Sequence, residues 1–314
     1  MKKIAFLFPG QGAQYPGMGK DLFDTYKEAR EVFNTANEVL GFDIASLIFK
    51  GTKEDLQRTE VTQPAVLATS MAVYKVLKDR YNIYPEGASG LSLGEYSALA
   101  ASGVLDLSEA VSLVQERARF MQEAVPEGKG SMAAILGLSE EKVKLVCKEG
   151  EHYGIVSPAN YNCPGQVVIA GEKGAVEKTV ELAKQAGAKR AVMLPMSVPS
   201  HCELLRTAGH RLSAVLEKVL VGDFKFPVLS NVKARYYTAP EEIRDLLVSQ
   251  LSSPVLWQKS MEFLIKDGFN FFIEVGPGRT LTTFMQKINR KVSCYHVEDQ
   301  PSLEKLFNNL EVKR

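Results

Sequence analysis

The run Gly90-Leu91-Ser92-Leu93-Gly94 sits between a short segment of strand character and a helical stretch, and few architectures accommodate it. Glycines two residues either side of a serine let the backbone leave a strand, turn sharply and present the hydroxyl at the N-terminus of the next helix. A strand delivered to such an elbow implies an α/β protein, and the serine is a candidate nucleophile. The five-residue pattern recurs by chance in chains of this length, so its surroundings must carry the argument.

At 314 residues the chain suits one large domain or two unequal ones, and 45% hydrophobic with 24% charged residues supports a sizeable core. That composition excludes disordered, collagen-like and coiled-coil classes. Lys plus Arg number 38 against 37 Asp plus Glu, so no global basic field exists to gather nucleic acid, and neither nucleic-acid binding nor membrane insertion is expected. No apolar run reaches the length of a membrane span. Met1-Lys2-Lys3 followed by Ile4-Ala5-Phe6-Leu7-Phe8 imitates a signal peptide, but the run stops at Pro9-Gly10 and reads as a buried first strand. Cys147, Cys163, Cys202 and Cys294 form no C-x-x-C pair and have no histidine at zinc spacing, so free thiols, a cytoplasmic setting and no metal are expected. No phosphate loop or dinucleotide fingerprint appears, so no cofactor is expected either.

Helical periodicity predicts helices over 21–40, 64–78 with Pro64 in the first turn, and 95–101 ending at Gly103. Asp106 and Ser108 can cap the next, which runs to about Ala124. The strand before the elbow, Glu86-Gly87-Ala88-Ser89, has poor β propensity. After the Pro126-Glu127-Gly128 break the order becomes strand (132–136), helix (139–148), strand (155–159), strand (166–170), helix (175–186), strand (190–194). This split β-α-β order suggests a small ferredoxin-like unit inserted into a larger domain. Beyond Pro199 come a helix (202 to about 220), a strand (227–229), a helix (239–251) and a strand (271–275). Gly276-Pro277-Gly278 then leads into a last amphipathic helix. The expected organisation is a large α/β subdomain from 1–126 and 198–314 and a small one from 127–197.

A serine nucleophile needs a base. Among four histidines, His201 stands in a Pro199-Ser200-His201 loop just before a helix, where the dipole disfavours the imidazolium. His210 falls on the polar face of that helix, and His152 and His296 suit surface or packing roles. Arg117 is attached to an apolar helix face shared with Leu113, Val114 and Met121, whereas Arg119 has Glu116 and Glu123 within helical reach. A buried guanidinium wants an anion, so Arg117 is an internal ion pair, a snorkelling surface residue or a clamp for a substrate carboxylate.

With these residues in place the chain resembles the malonyl-CoA:acyl-carrier-protein transacylases, acyltransferases that load fatty-acid and polyketide synthesis, from end to end. The resemblance rests on Pro9-Gly10-Gln11-Gly12, Thr62-Gln63-Pro64-Ala65, Gly90 to Glu95 and Arg117 with Phe120-Met121. Asn160-Tyr161-Asn162-Cys163-Pro164-Gly165-Gln166, Val198-Pro199-Ser200-His201 and Glu274 to Gly278 complete it. It implies an α/β-hydrolase-like large subdomain with a mainly parallel sheet, plus the ferredoxin-like insertion. It also implies malonyl-CoA and acyl carrier protein as partners, Ser92 as acyl acceptor, His201 as base, and the N–H groups of Gln11 and Leu93 as an oxyanion hole. Arg117 becomes the carboxylate clamp with Gln63 beside it, Gln250 the backbone support for the histidine, and Asn160 and Asn162 the far wall of the cleft.

Two positions depart from the family pattern. Leu91 stands where a histidine usually precedes the serine, which touches pocket packing and rate, and Ser200 stands where some relatives carry a bulky aromatic, which opens room for a branched acyl group. Lys189, Arg190, Arg206, Lys287 and Arg290 are candidates for a basic patch that meets an acidic carrier protein. A serine hydrolase or thioesterase is the enzymatic alternative, but its acid would lie between the serine and a late histidine, and about a third of this chain follows His201. A silent carrier-binding scaffold would have no need of both Ser92 and His201.

Overall fold

The computed structural model describes residues 2–196 and 198–310. The chain opens with β1 (Ile4–Phe8), α1 (Lys20–Thr25), α2 (Lys27–Leu40), α3 (Ile44–Lys50), α4 (Thr59–Lys75), β2 (Gly87–Gly90), α5 (Leu93–Ser102) and α6 (Leu107–Ala124). Its middle forms β3 (Gly130–Leu136), α7 (Glu140–Gly150), β4 (Val156–Cys163), β5 (Gln166–Glu172), α8 (Lys173–Gln185) and β6 (Arg190–Met193). It continues through α9 (Arg206–Leu216), α10 (Glu242–Ser252), α11 (Trp257–Lys266), β7 (Phe271–Val275), α12 (Thr280–Ile288), β8 (Ser293–Val297) and α13 (Gln300–Leu310).

The first sheet is parallel in the order β2-β1-β7-β8. Its two central strands are continuous apolar runs because helices cover both faces. Glu274 is the exception on β7, and its buried carboxylate accepts the N–H groups of Leu281 (3.0 Å) and Thr282 (2.7 Å) at the start of α12. The acid therefore caps a helix from within the sheet, which explains the Glu274-to-Gly278 motif, and burial pushes its carboxyl up to about 7.

β2 is built from small residues for want of space. A Cβ on Gly87 would meet the Phe269 ring at 2.7 Å, and one on Gly90 would lie 1.9 Å from the Gly94 carbonyl carbon. A Cβ on Gly94 would lie 2.0 Å from the Phe8 carbonyl oxygen. The glycines of the elbow thus admit close passage of α5 over the ends of β1 and β2, while the unusual backbone falls on the serine between them.

The second sheet is antiparallel in the order β4-β5-β3-β6, the ferredoxin-like arrangement. Alternation divides its faces. Ala133 and Ile135 of β3 pack with Val143 of α7 and Val176 of α8, while Met132 joins Ala159, Val168 and Cys202 on the opposite face, toward the first sheet. The edge strand β4 is tied to the larger layer by Tyr161 N–H to Val255 C=O (2.9 Å) and Val255 N–H to Ala159 C=O (2.8 Å).

Several elements differ from the sequence expectation. The stretch 21–40 breaks at Tyr26, whose extended backbone separates α1 from α2. The helix holding Pro64 begins earlier, at Thr59, so the proline lies inside α4. The helix expected from Cys202 is a 3-10 turn (Glu203–Leu205) before α9, and 227–229 makes only isolated bridges from Val228 to Ala88 and from Leu229 to Tyr236. α12 is not the last element, because β8 and α13 follow it and complete the parallel sheet. Asp106, by contrast, caps α6 in a full capping box with Glu109, as its position suggests.

Close packing at the elbow sets the first expectation. Gly90→Ala should lower stability by about 3 kcal/mol in urea unfolding, since only backbone could give way. Gly174→Ala in α8, where no atom lies within 4 Å of the new Cβ, should be neutral or stabilising by roughly 0.5 kcal/mol. Equal midpoint shifts for the two variants would contradict the crowding argument.

Candidate active site

Ser92 lies between β2 and α5 with φ 55° and ψ −107°, a backbone region that costs roughly 1–3 kcal/mol for a residue with a side chain. Surrounding hydrogen bonds hold it there. Its N–H donates to Asn231 Oδ1 (2.7 Å), and its carbonyl accepts from Gln250 Nε2 (3.0 Å) and from Glu95 N–H (3.0 Å). Asn231 Nδ2 in turn donates to the Gly90 carbonyl (2.7 Å), so one asparagine side chain grips the elbow on both sides of Leu91.

His201 also has a positive φ, of 62°, and projects back toward Ser92. Its Nε2 lies 2.7 Å from Ser92 Oγ and its Nδ1 2.7 Å from the Gln250 carbonyl. A carbonyl only accepts, so the proton sits on Nδ1, and Nε2 presents a lone pair to the serine hydroxyl. The support is a backbone group at the C-terminal part of α10 rather than a buried acid. The imidazole is pushed down to about 4, first by burial and then by the nearby Arg117 charge. This corrects the helix-dipole reasoning: the residue after His201 enters a 3-10 turn, and desolvation keeps the ring neutral.

Arg117, on α6, is 1% exposed, and none of the ion pairs among the described residues includes it. The internal ion pair and the snorkelling side chain are therefore both set aside. Its Nη1 donates to Gln63 Oε1 (2.7 Å), and its Nη2 donates to Gln250 Oε1 (3.1 Å) and Ser92 Oγ (3.2 Å). Its Nε has no partner, and the guanidinium carbon lies 5.3 Å from the centre of the Tyr96 ring. Burial draws its pKa downward, yet an arginine keeps its proton, so neutral oxygens surround a full positive charge.

Ser92, His201, Arg117, Gln11, Asn160 and Asn162 all line one cavity of about 200 Å³ between the two sheets. Leu91 and Ser200, the two departures, line it as well. Asn160 and Asn162 come from β4, and the Asn162 Oδ1 is buried without a partner. Gln63 and Gln250 stand behind Arg117, outside the lining. The Leu93 side chain belongs to the core, but its N–H opens α5, where the first N–H groups lack intrahelical acceptors. Among the described residues no group of three His, Cys, Asp or Glu side chains could hold a metal.

Sequence reasoning assigned no role to Glu95, Asn231 and Tyr237. Glu95 is 1% exposed, and burial lifts its carboxyl to about 7 against the pull of its hydrogen-bond donors. Its signal was present as an acid in the first turn of an otherwise apolar helix. Asn231 lies 139 residues from Ser92 and nothing local marks it.

Nucleophile, neutral base and uncompensated cation at one cavity can perform acyl transfer on a substrate that carries its own negative charge. The comparisons with known proteins agree with that chemistry. A family model described as an acyl transferase domain matches residues 5–305. The malonyl CoA-acyl carrier protein transacylase of Haemophilus influenzae is 45% identical over 312 residues, 99% of each chain. A malonyl-transacylase solved in complex with a type II PKS acyl-carrier protein is 44% identical with a TM-score of 0.96, covering 98% of this chain and 100% of that one. The malonyl CoA-acyl carrier protein transacylase of Clostridium perfringens is 45% identical with a TM-score of 0.95, over 98% and 97% of the two chains.

The depressed imidazole gives a pH expectation with a definite sign. A histidine lowered from 6.5 to about 4 stays neutral, and able to accept a proton, until the pH nears the lower value. Sulfonylation of Ser92 by a small neutral sulfonyl fluoride should therefore hold its rate from about pH 8 to about pH 5. A half-point near the ordinary histidine value would show that the ring is not desolvated.

Proposed function

The chain belongs to the acyl transferase family, and from that premise we propose that it moves a malonyl group from malonyl-CoA to the phosphopantetheine thiol of an acyl carrier protein, supplying fatty-acid biosynthesis. The observation that carries this reading is Arg117 beside Ser92, a buried guanidinium with no carboxylate against it, 3.2 Å from the nucleophile oxygen. A malonyl thioester has a carboxylate two bonds beyond its reacting carbonyl carbon. Once that carbon joins Ser92, the carboxylate falls beside Arg117 and supplies the missing anion.

In this reading His201 Nε2 takes the Ser92 proton as Oγ attacks the thioester carbonyl. The N–H groups of Gln11 and Leu93 stabilise the oxyanion. Collapse expels the CoA sulfur, which receives the proton from Nε2, and leaves a malonyl ester on Ser92. The carrier thiol then repeats the steps in reverse, giving its proton to His201, attacking the ester and returning the proton to Ser92. Gln250 holds Nδ1 through its carbonyl, and Gln63 holds Arg117. The unpartnered Asn162 oxygen suits an amide N–H of the incoming arm, with Asn160 alongside.

Residues 1–126 and 198–314 carry the chemistry here, and 127–197 closes the cleft over it. For the carrier, Lys287 is well placed: its ammonium donates to Gln166 Oε1 (3.2 Å), and Gln166 lines the cavity. Lys189, Arg190 and Arg290 are exposed, while Arg206 is engaged by Glu203 (2.7 Å) and contributes less. A cytoplasmic setting fits the four free thiols. Among the described residues no helix is long and apolar enough to cross a membrane. A hydrolase reading gains no support from the histidine, whose partner is a carbonyl rather than an acid.

Brief exposure to malonyl-CoA should add one malonyl mass to the intact protein, on the peptide containing Ser92. Turnover without any adduct on rapid quenching would defeat the ping-pong scheme. Arg117→Ala should lower kcat/KM for malonyl-CoA by roughly 30- to 1000-fold, the kinetic equivalent of about 2–4 kcal/mol, and spare or improve acetyl transfer. Arg117→Lys should recover part of the loss, since an ammonium has charge without the planar fork. An unchanged malonyl-to-acetyl ratio would make the arginine purely structural.

A further inference from the structure

Glu95 is a buried acid at the back of the site, away from the cavity lining, and its connections lead to Arg117. Its Oε1 accepts from Tyr237 Oη (2.6 Å) and Asn231 N–H (3.1 Å), and its Oε2 accepts from Gln250 Nε2 (2.6 Å). The second hydrogen on that nitrogen goes to the Ser92 carbonyl (3.0 Å). With Glu95 ionised, the form that the three donors converging on it favour, both groups facing Gln250 Nε2 only accept, so the amide can sit one way round. Its Oε1 must then face Arg117 Nη2, at 3.1 Å. Turned over, the amide would set oxygen against oxygen at Glu95 and Ser92 and its NH2 against the guanidinium.

We propose that Glu95 is a positioning residue for acyl selection: by fixing the orientation of the Gln250 amide, it holds the Arg117 guanidinium in place at the wall of the acyl cavity. The proposal rests on the malonyl-transfer reading and adds to it the group that orients the clamp. Gln63 alone cannot do this. It holds Nη1, and one hydrogen bond leaves the planar fork free to turn about that contact. Nη2 is shared by the Gln250 oxygen and the Ser92 hydroxyl; once Ser92 Oγ carries an acyl group, the Gln250 oxygen remains as the second fixed attachment, and Glu95 decides that an oxygen is there. His201 is held by the Gln250 backbone carbonyl, which does not depend on which way the side-chain amide lies.

Glu95→Gln is the discriminating substitution because it keeps shape and removes one acceptor. Three donors converge on the carboxylate, so a glutamine must turn its own NH2 toward one of them. The Asn231 N–H is fixed in the backbone, whereas the Gln250 amide can flip, and flipping turns its NH2 on Arg117. Single-turnover acylation by malonyl-CoA and by acetyl-CoA, followed by intact-protein mass spectrometry, reads the result. Malonyl acylation should fall about tenfold or more and acetyl acylation less than about threefold, so the ratio drops. A residue that merely stabilised the elbow would lower both together.

In an Arg117→Ala background, Glu95→Gln should leave the ratio unchanged, since the group through which it acts is gone. Gln250→Met, which removes the amide but keeps the backbone carbonyl for His201, should lower the ratio like Glu95→Gln and serves where Glu95→Gln does not fold. A wild-type ratio in a folded Glu95→Gln or Gln250→Met protein, or a further drop in the Arg117→Ala background, overturns the role of Glu95. A wild-type protein that forms no malonyl ester overturns the parent reading, and this one with it.

Discussion

Burying Arg117 without an adjacent carboxylate costs several kcal/mol, and the neighbouring side chains are arranged to meet that cost without cancelling the charge. Gln63 and Gln250 offer neutral oxygens to its nitrogens, the centre of the Tyr96 ring lies 5.3 Å from its guanidinium carbon, and the buried acid Glu95 stands one amide away. A carboxylate in direct contact would satisfy the guanidinium and leave it nothing to bind. Neutral donors of electron density hold its geometry and preserve its attraction for a substrate anion.

The same side chains that hold the arginine hold Ser92. Gln250 reaches the Ser92 carbonyl, the Glu95 carboxylate, Arg117 and, through its backbone, His201. Ser92 and His201 both adopt positive φ, so the close contact between hydroxyl and imidazole is made by two strained backbones facing each other. Such strain persists only where the surroundings over-determine it. Asn231 on the elbow and the glycine-packed crossing of α5 over β1 and β2 provide that constraint.

The cavity owes its other wall to the second sheet. Period-two alternation sends Met132 and Val168 toward Ser92, and a register shift in β4 between Pro158 and Asn160 brings Asn160 and Asn162 to the same side, while Ala133, Ile135, Tyr161, Val167 and Ile169 pack under α7 and α8. Leu91 joins the apolar cluster around Trp257 as well as lining the cavity, so the residue before Ser92 serves packing here. Ser200 leaves room beside His201 that a larger side chain would fill.

Local sequence determined the elements whose cause is local. The apolar run of β1, the capping box on α6, the β-α-β-β-α-β order and the Gly90-to-Gly94 elbow were all legible, as was the apolar-face position of Arg117. Breaks set by a single residue, such as Tyr26 between α1 and α2, were not legible, because periodicity continues across them. The final β8 and α13 were missed because the Gly276-Pro277-Gly278 turn reads like an ending, and only pairing with β7 makes Ser293–Val297 a strand. Tertiary structure alone decided that Asn231 and Gln250 would meet Ser92 from 139 and 158 residues away. It alone decided, too, that His201 stays neutral by desolvation, since burial is a property of the assembled cleft. Hydrogen bonds between distant side chains have no sequence period, so the network that orients Arg117 exists only once α4, α5, α6 and α10 have packed together.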